Sequence, residues 1–162
     1  MKFEKPIQAY YNPDSAICYG CGPYNPKGLH LKTYWNGEEG ICHFMPWPEH
    51  HGFPEVVYGG LIASLIDCHS IGTAICAFYE KEGRLPDTEP EITCVTGRLG
   101  VSYLKPTPMD QELVLRARPV EVGERKAVIQ CSMFAGKTET ARAEVVAVRV
   151  KSRAGIGHVR PE

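Results

Sequence analysis

Residues Gly59–Glu82 read GGLIASLIDCHSIGTAICAFYEKE, and no proline interrupts them. Apolar residues recur at helical spacing: Leu61, Leu65, Cys68 and Gly72 form one row, Ile62 and Ile66 stand beside it, and Ile71, Ile75 and Phe78 follow. Gly83, just after Lys81-Glu82, stands where a helix stop belongs. The segment is apolar around most of its circumference until Tyr79. Such a helix is enclosed by protein rather than laid on a surface.

Beyond the charged connector Gly83–Pro90 the chain reads as β-structure. Ile92–Leu104 is strand-like, with Gly97 and Gly100 as expected bulge points. Glu112–Glu121 alternates Leu113, Leu115 and Ala117 with Val114, Arg116 and Arg118. Lys126–Phe134 puts Ala127, Ile129, Cys131 and Met133 on one face, and Thr140–Val150 does the same with Ala141, Ala143, Val145 and Ala147. That alanine-rich row suits close approach of a large element, and the 59–82 helix is the one available. Upstream, Leu29–Trp35 and Gly40–Phe44 are expected to form a hairpin around Asn36-Gly37. Pro46–Pro54 reads as a loop, and residues 1–28, rich in Tyr, Pro, Gly and Asn, as irregular. The predicted class is α+β: one domain over 1–162, an antiparallel sheet wrapped around a long central helix, and a flexible polar tail at 152–162.

Composition sets the outer bounds. A chain of 162 residues fits one domain, and 43% apolar with 23% charged residues excludes global disorder. The net charge of −1 argues against a dedicated nucleic-acid binder. Residues 1–82 carry 5 Lys+Arg and 9 Asp+Glu, whereas 83–162 carry 13 and 10, so an anionic ligand leans on the second half. Leu61–Tyr79, the most apolar segment, is broken by Ser64, Asp67, His69 and Ser70, and no membrane span is expected. Met1–Pro6 lacks the apolar stretch of a signal peptide. The seven cysteines are odd in number. Cys68, Cys76, Cys94 and Cys131 read as small core residues in a reducing compartment, and the expected location is the cytoplasm.

The chemistry gathers between Val57 and Asp67. Glycines at a helix start let a ligand approach the backbone, where unpaired N–H groups and the helix dipole stabilise an oxygen gaining negative charge. Asp67 follows Gly60 by seven residues, nearly two turns, and so lies on roughly the same side. A carboxylate in an apolar helix is costly unless paired or used. Two readings stand on these residues alone: an acid working beside an oxyanion site, or a carboxylate facing a solvent gap behind glycines that only end a loop.

Longer strings carry a resemblance. Cys18-Tyr19-Gly20-Cys21-Gly22, Asn25-Pro26-Lys27-Gly28-Leu29, Tyr58-Gly59-Gly60 through Asp67, and Val101-Ser102-Tyr103-Leu104-Lys105-Pro106 together resemble the hotdog-fold acyl-CoA thioesterases, and above all the branch of phenylacetyl-CoA-type enzymes. The resemblance implies a hydrolase of small or medium acyl-CoA, aromatic ones included. It implies that the Gly60 amide, with Gly59, polarises the thioester carbonyl. Asp67 is then nucleophile or general base, and Thr96 holds the attacking water or the carboxylate. In the family Asp and Gly belong to one subunit and the hydroxyl to its partner, which implies a homodimer or a dimer of dimers. No metal is implied, and no cofactor beyond the coenzyme A of the substrate.

Two positions depart from the family pattern. Tyr58 stands where most relatives have His, and Gly52 where some have Asn or Gln. His50 and His51 adjoin Gly52, and His51 is a candidate substrate contact. The interval from Asp67 to Thr96 is long, with the connector as the place for the extra residues. Arg98 and Lys105 are candidate contacts for the nucleotide end of coenzyme A, with a solvated strand position the plainer reading of either one alone. Trp47, Phe53 and Tyr58 either line an acyl pocket or close the core.

Cys18-x-x-Cys21 is half of a zinc knuckle; Cys42-His43 is the one pair offered to complete it, and packing of the N-terminal segment is the plainer reading. Asp67 and His69, two residues apart, point in different directions on a helix, so a catalytic pair between them is not expected. Two further functions stay open: a hotdog module that binds acyl-CoA without hydrolysing it, and a hydratase or dehydratase.

Overall fold

The computed structural model describes residues 1–151, and the tail predicted at 152–162 lies outside the described residues. Helix α1 spans Gly59–Glu82, as its periodicity predicts. Tyr58 precedes it in extended conformation, and the Tyr58 carbonyl accepts the Leu61 and Ile62 N–H groups at 3.1 and 3.3 Å. Gly83 ends it in the left-handed region, at φ 63°. There the Gly83 N–H bonds to the Glu80 carbonyl and the Arg84 N–H to the Tyr79 carbonyl, which satisfies the last carbonyls of the helix.

The strands are β1 (Tyr34–Trp35), β2 (Gly40–Phe44), β3 (His51–Phe53), β4 (Val56–Val57), β5 (Thr93–Tyr103), β6 (Leu113–Val122), β7 (Lys126–Ala135) and β8 (Thr138–Val150). Six of them make one antiparallel sheet in the order β1-β2-β6-β7-β8-β5, while β3 and β4 form a separate ribbon. Ala117, Ala127, Ala141 and Ala147 are fully buried among Leu113, Leu115, Ile129, Met133 and Val145. Their small side chains let α1 settle close to the sheet. At Gly40 a Cβ would stand 2.1 Å from Thr73 Oγ1, so the helix rests directly on the β2 backbone. By length and composition α1 is apolar enough to cross a membrane, but most of it is buried, as a core helix is.

Three local expectations are corrected. The predicted strand Leu29–Trp35 shrinks to β1, because the Leu29 and Leu31 N–H groups bond instead to the Tyr19 and Gly20 carbonyls of the N-terminal segment. The predicted loop Pro46–Pro54 contains β3, which a left-handed Glu55 (φ 65°) turns onto β4. Gly97 is a bulge, but Gly100 is not: it opposes Glu144 in unbroken register.

Candidate active site

The sheet covers one side of α1 and leaves Gly59, Gly60, Ala63, Ser64, Asp67, Cys68 and Ile71 half-buried. These form one stripe at three- and four-residue spacing. Asp67 sits on it, and its Oδ1 accepts a hydrogen bond from Thr96 Oγ1 at 2.6 Å. Strand β5 delivers that threonine. The connector returns the chain to α1, where the Ile92 N–H bonds to the Tyr79 hydroxyl at 3.0 Å. Thr96 then opposes Ala147 and Arg98 opposes Val146, which leaves Gly97 as the extra, bulged residue that re-aims the strand. A Cβ at Gly97 would approach Val148 Cγ2 to 2.8 Å.

This contact lies within one chain. It corrects the expectation that the hydroxyl comes from a partner subunit, because the long excursion through the connector folds back on the same helix. Asp67 and Thr96 line a cleft of about 380 Å³ together with Cys18, Cys21, Cys68 and Ile71. Burial pushes the Asp67 carboxyl above its ordinary range, the Thr96 hydrogen bond pulls it back, and the nearby Cys18 adds to the rise.

At the start of α1, the Leu61 and Ile62 amides are taken by Tyr58, which leaves those of Gly59 and Gly60 without an acceptor among the described residues. The two glycine carbonyls are held instead. Tyr103 Oη donates to the Gly59 oxygen at 2.8 Å, and Ser64 Oγ donates to the Gly60 oxygen at 2.9 Å. Tyr58 folds its phenol over Gly60: a Cβ at 60 would stand 2.0 Å from Tyr58 Oη and 2.2 Å from its Cζ. In this conformation the ring is compatible only with glycine beneath it.

Gly59 and Lys105 share a second cleft with Phe53 and Tyr103. The structure therefore brings Asp67 and Thr96 to one cleft, Gly59 and Lys105 to another, and places Gly60 on the helix stripe that joins them. His51 and Arg98 border neither. His51 Nδ1 donates to the Pro48 carbonyl at 2.6 Å, and Arg98 forms an exposed ion pair with Glu144 at 2.8 Å. Trp47, Phe53 and Tyr58 are 42%, 77% and 54% exposed and do not close the core of the chain. Trp47 instead stacks on His50 with ring centroids 4.9 Å apart, and His50 Nδ1 accepts the Trp47 N–H at 3.0 Å.

His69 is fully buried and turned away from Asp67. Its Nε2–H donates to the Gly40 carbonyl at 3.1 Å and its Nδ1 accepts the Thr33 hydroxyl at 2.9 Å. Burial pushes its pKa down to about 4, and the neutral ring serves as a core bridge between α1 and the strands. Cys68 is not the plain core residue expected: it is half-buried, and its Sγ lies 3.8 Å from Cys18 Sγ. Cys42 is buried within β2, and His43 pairs with Glu112 at 3.0 Å, so that pair does not complete the knuckle. Tyr103 and the sulfur cluster are additions that spacing alone does not reveal. Tyr103 belongs to the string Val101–Pro106, whereas the cluster depends on how the N-terminal turn docks on α1.

A long helix seated on an antiparallel sheet, glycine amides at its mouth and a hydroxyl-bonded carboxylate two turns on, define a hotdog protein with an acid at its cleft. The sequence pattern of the Thioesterase superfamily matches residues 55–142, and the chain belongs to that family. It is similar to a Thioesterase superfamily protein from Shewanella loihica PV-4, at 40% identity and a TM-score of 0.63, covering 86% of this chain and 99% of that one. The acyl-coenzyme A thioesterase THEM4 of Rattus norvegicus is 25% identical over 126 residues, 76% of this chain and 49% of the relative. The chain thus spans about half the length of that curated relative. A Streptococcus mutans UA159 protein bound to acetyl CoA shares the fold, with a TM-score of 0.61 and 19% identity over 76% of this chain and 90% of its own.

Proposed function

We propose that this protein hydrolyses acyl-CoA thioesters to free acid and coenzyme A. The observation that carries the reading is the Thr96–Asp67 hydrogen bond in a cleft on the stripe headed by the free glycine amides. The Gly60 N–H donates to the thioester carbonyl oxygen as it gains charge. Thr96 fixes the Asp67 carboxylate and leaves its second oxygen to draw a proton from water, or to attack the carbonyl itself. The carbon–sulfur bond then breaks, and the coenzyme A thiolate takes up a proton; where Asp67 itself has attacked, water then cleaves the resulting anhydride to release the acid and restore the carboxylate. The family name, the rat relative and the acetyl CoA held by the S. mutans neighbour all support this class of substrate. Small or medium acyl groups, aromatic ones included, are proposed on the resemblance of the N-terminal strings to the phenylacetyl-CoA-type branch.

Along one helix Gly60 and Asp67 stand about 10 Å apart, seven residues at 1.5 Å each. Contacts of about 3 Å to each side of one carbonyl do not span that distance. We therefore infer a homodimer, or a dimer of dimers, in which Gly60 of one protomer faces Asp67 of the partner subunit, in place of the expectation that Asp and Gly work within one subunit. The outer sheet strand β5 exposes Val95, Leu99 and Tyr103 and offers an apolar edge for such pairing. The seven free cysteines support a reducing compartment, and the cytoplasm is the location proposed.

Release of free thiol from a panel of acyl-CoA esters, by the wild type and by Asp67→Asn, tests the function. The Tyr58 ring over Gly60 favours one other reading, a module that holds acyl-CoA without cleaving it. Saturable binding of acyl-CoA with no thiol released across the panel would establish that reading and overturn hydrolysis.

A further inference from the structure

The hydrolysis proposed above calls on no sulfur of the cluster beside Asp67. Cys18, Cys21 and Cys68 bring their three Sγ atoms within 4.8 Å of one another. Two of them come from the N-terminal turn and the third from α1, so the cluster ties that turn to the helix. The turn is shaped around the sulfurs. A Cβ at Gly20 would stand 2.3 Å from Cys68 Sγ, and one at Gly22 would stand 2.4 Å from the Cys18 nitrogen. The Cys18 and Cys68 sulfurs are 3.8 Å apart. A tetrahedron of Zn–S bonds of about 2.3 Å has sulfur–sulfur edges of about 3.8 Å.

Charge points the same way. The cleft that holds the three sulfurs also presents Asp67 and Glu91, and no Lys or Arg among the described residues lines it. A nucleophilic cysteine is normally activated by neighbouring cationic groups. Here the surroundings favour a cation as the guest. Three soft sulfurs select a thiophilic one.

We propose that Cys18, Cys21 and Cys68 bind one zinc ion as thiolates, with a water from the cleft in the fourth position. The thiol protons leave as the metal enters. The ion locks the N-terminal turn onto α1 next to Asp67, while Asp67 keeps its bond to Thr96.

The test uses the full chain, reduced, freed of metal, and titrated with cobalt(II) and then zinc. The expected result is one cobalt per chain with thiolate-to-cobalt charge-transfer absorption, abolished by one equivalent of zinc. Zinc also shields Cys18, the exposed member, from alkylation by iodoacetamide. Cys18→Ser and Cys68→Ser are expected to weaken zinc binding by more than about 10²-fold, beyond the 10–100-fold typical of losing an outer-sphere partner. Alkylation of the unaltered protein decides the matter if those variants do not fold. Three outcomes overturn the proposal: no charge-transfer absorption in the reduced wild type, undiminished binding by folded Cys68→Ser, or no protection of Cys18 by zinc. Oxidation by glutathione disulfide to a Cys18–Cys68 disulfide, two protons and two electrons passing to the oxidant, in a protein that binds no zinc would assign the pair to redox use instead. None of these readouts involves thiol release from acyl-CoA, so the zinc site and the hydrolase reading fail independently.

Discussion

Thr96 Oγ1 and Asp67 Oδ1 stand 2.6 Å apart and join residues separated by 29 positions across the seam between β5 and α1. The bond fixes which carboxylate oxygen is engaged and which is left to act. Two substitutions separate chemistry from positioning. Asp67→Asn keeps the shape and removes the base, and is expected to lower turnover by about 10²–10⁴-fold. Thr96→Val removes one hydrogen bond to a charged group, worth about 1.5–3 kcal/mol, and is expected to lower turnover by about 10–100-fold. Both are read as kcat for thiol release, with KM changing less than kcat. Wild-type turnover by Asp67→Asn on every accepted ester would take the carboxylate out of the mechanism.

Tyr103 acts one step further from the reacting atoms. Its hydroxyl holds the Gly59 carbonyl at 2.8 Å and so orients the peptide whose N–H belongs to Gly60. Tyr103→Phe loses one neutral hydrogen bond, about 1 kcal/mol. The melting temperature is expected to fall by about 2–4 °C. A positioning role also lowers kcat by about 5-fold at constant KM, because the amide is mis-aimed at the charge it stabilises. A drop in melting temperature with kcat unchanged would leave Tyr103 a purely structural residue.

Helix α1 is legible in the sequence because every signal for it is local: apolar spacing, the absence of proline and the glycine after Glu82. The four long strands are legible for the same reason, since alternation such as Leu113-Val114-Leu115-Arg116 marks the face that the structure buries. The stripe from Gly60 to Asp67 follows from helix geometry alone. What escapes local reading is set by partners distant in the chain. The Leu29–Thr33 segment carries strand-forming residues, yet its Leu29 and Leu31 amides bond to the turn at Tyr19-Gly20 and its Thr33 amide to Gln8 Oε1, not to β2. Thr96 enters the reading through family resemblance, and its meeting with Asp67 needs the Gly97 bulge. The third sulfur of the cluster is an ordinary helix cysteine until the N-terminal turn is docked onto it.

The two-protomer arrangement can be tested by complementation. Gly60→Val puts a side chain where the Tyr58 ring and an incoming carbonyl would lie, and should inactivate as thoroughly as Asp67→Asn. When the two inactive proteins are unfolded together and refolded at equal amounts, half of the dimers are mixed. If Gly60 of one protomer works with Asp67 of the partner subunit, each mixed dimer has one intact site, and activity returns to about a quarter of the wild-type value. If both groups act within one chain, no intact site forms and the mixture stays inactive.

Glu39 supplies a pH-dependent share of stability away from the cleft. Its side chain is 4% exposed beside the β2 hairpin turn, where it accepts hydrogen bonds from Arg116 and from Arg118 Nε at 3.1 Å. The Arg116 hydrogen bond, with help from Arg118, holds the Glu39 carboxyl below its ordinary range. A carboxyl depressed in the folded state binds its proton more readily when unfolded. Its stabilisation is therefore complete above the ordinary glutamate value and is lost as the pH falls through the folded-state value. The two arginine side chains are 49% and 63% exposed, so solvent screens the pair and reduces its worth to about 1–2 kcal/mol. Glu39→Gln is expected to be less stable than the wild type by that amount at pH 7 in urea unfolding. The gap should narrow at a pH below the ordinary glutamate range, where the wild-type carboxyl takes up its proton. A gap of equal size at both pH values would assign the loss to packing and not to charge.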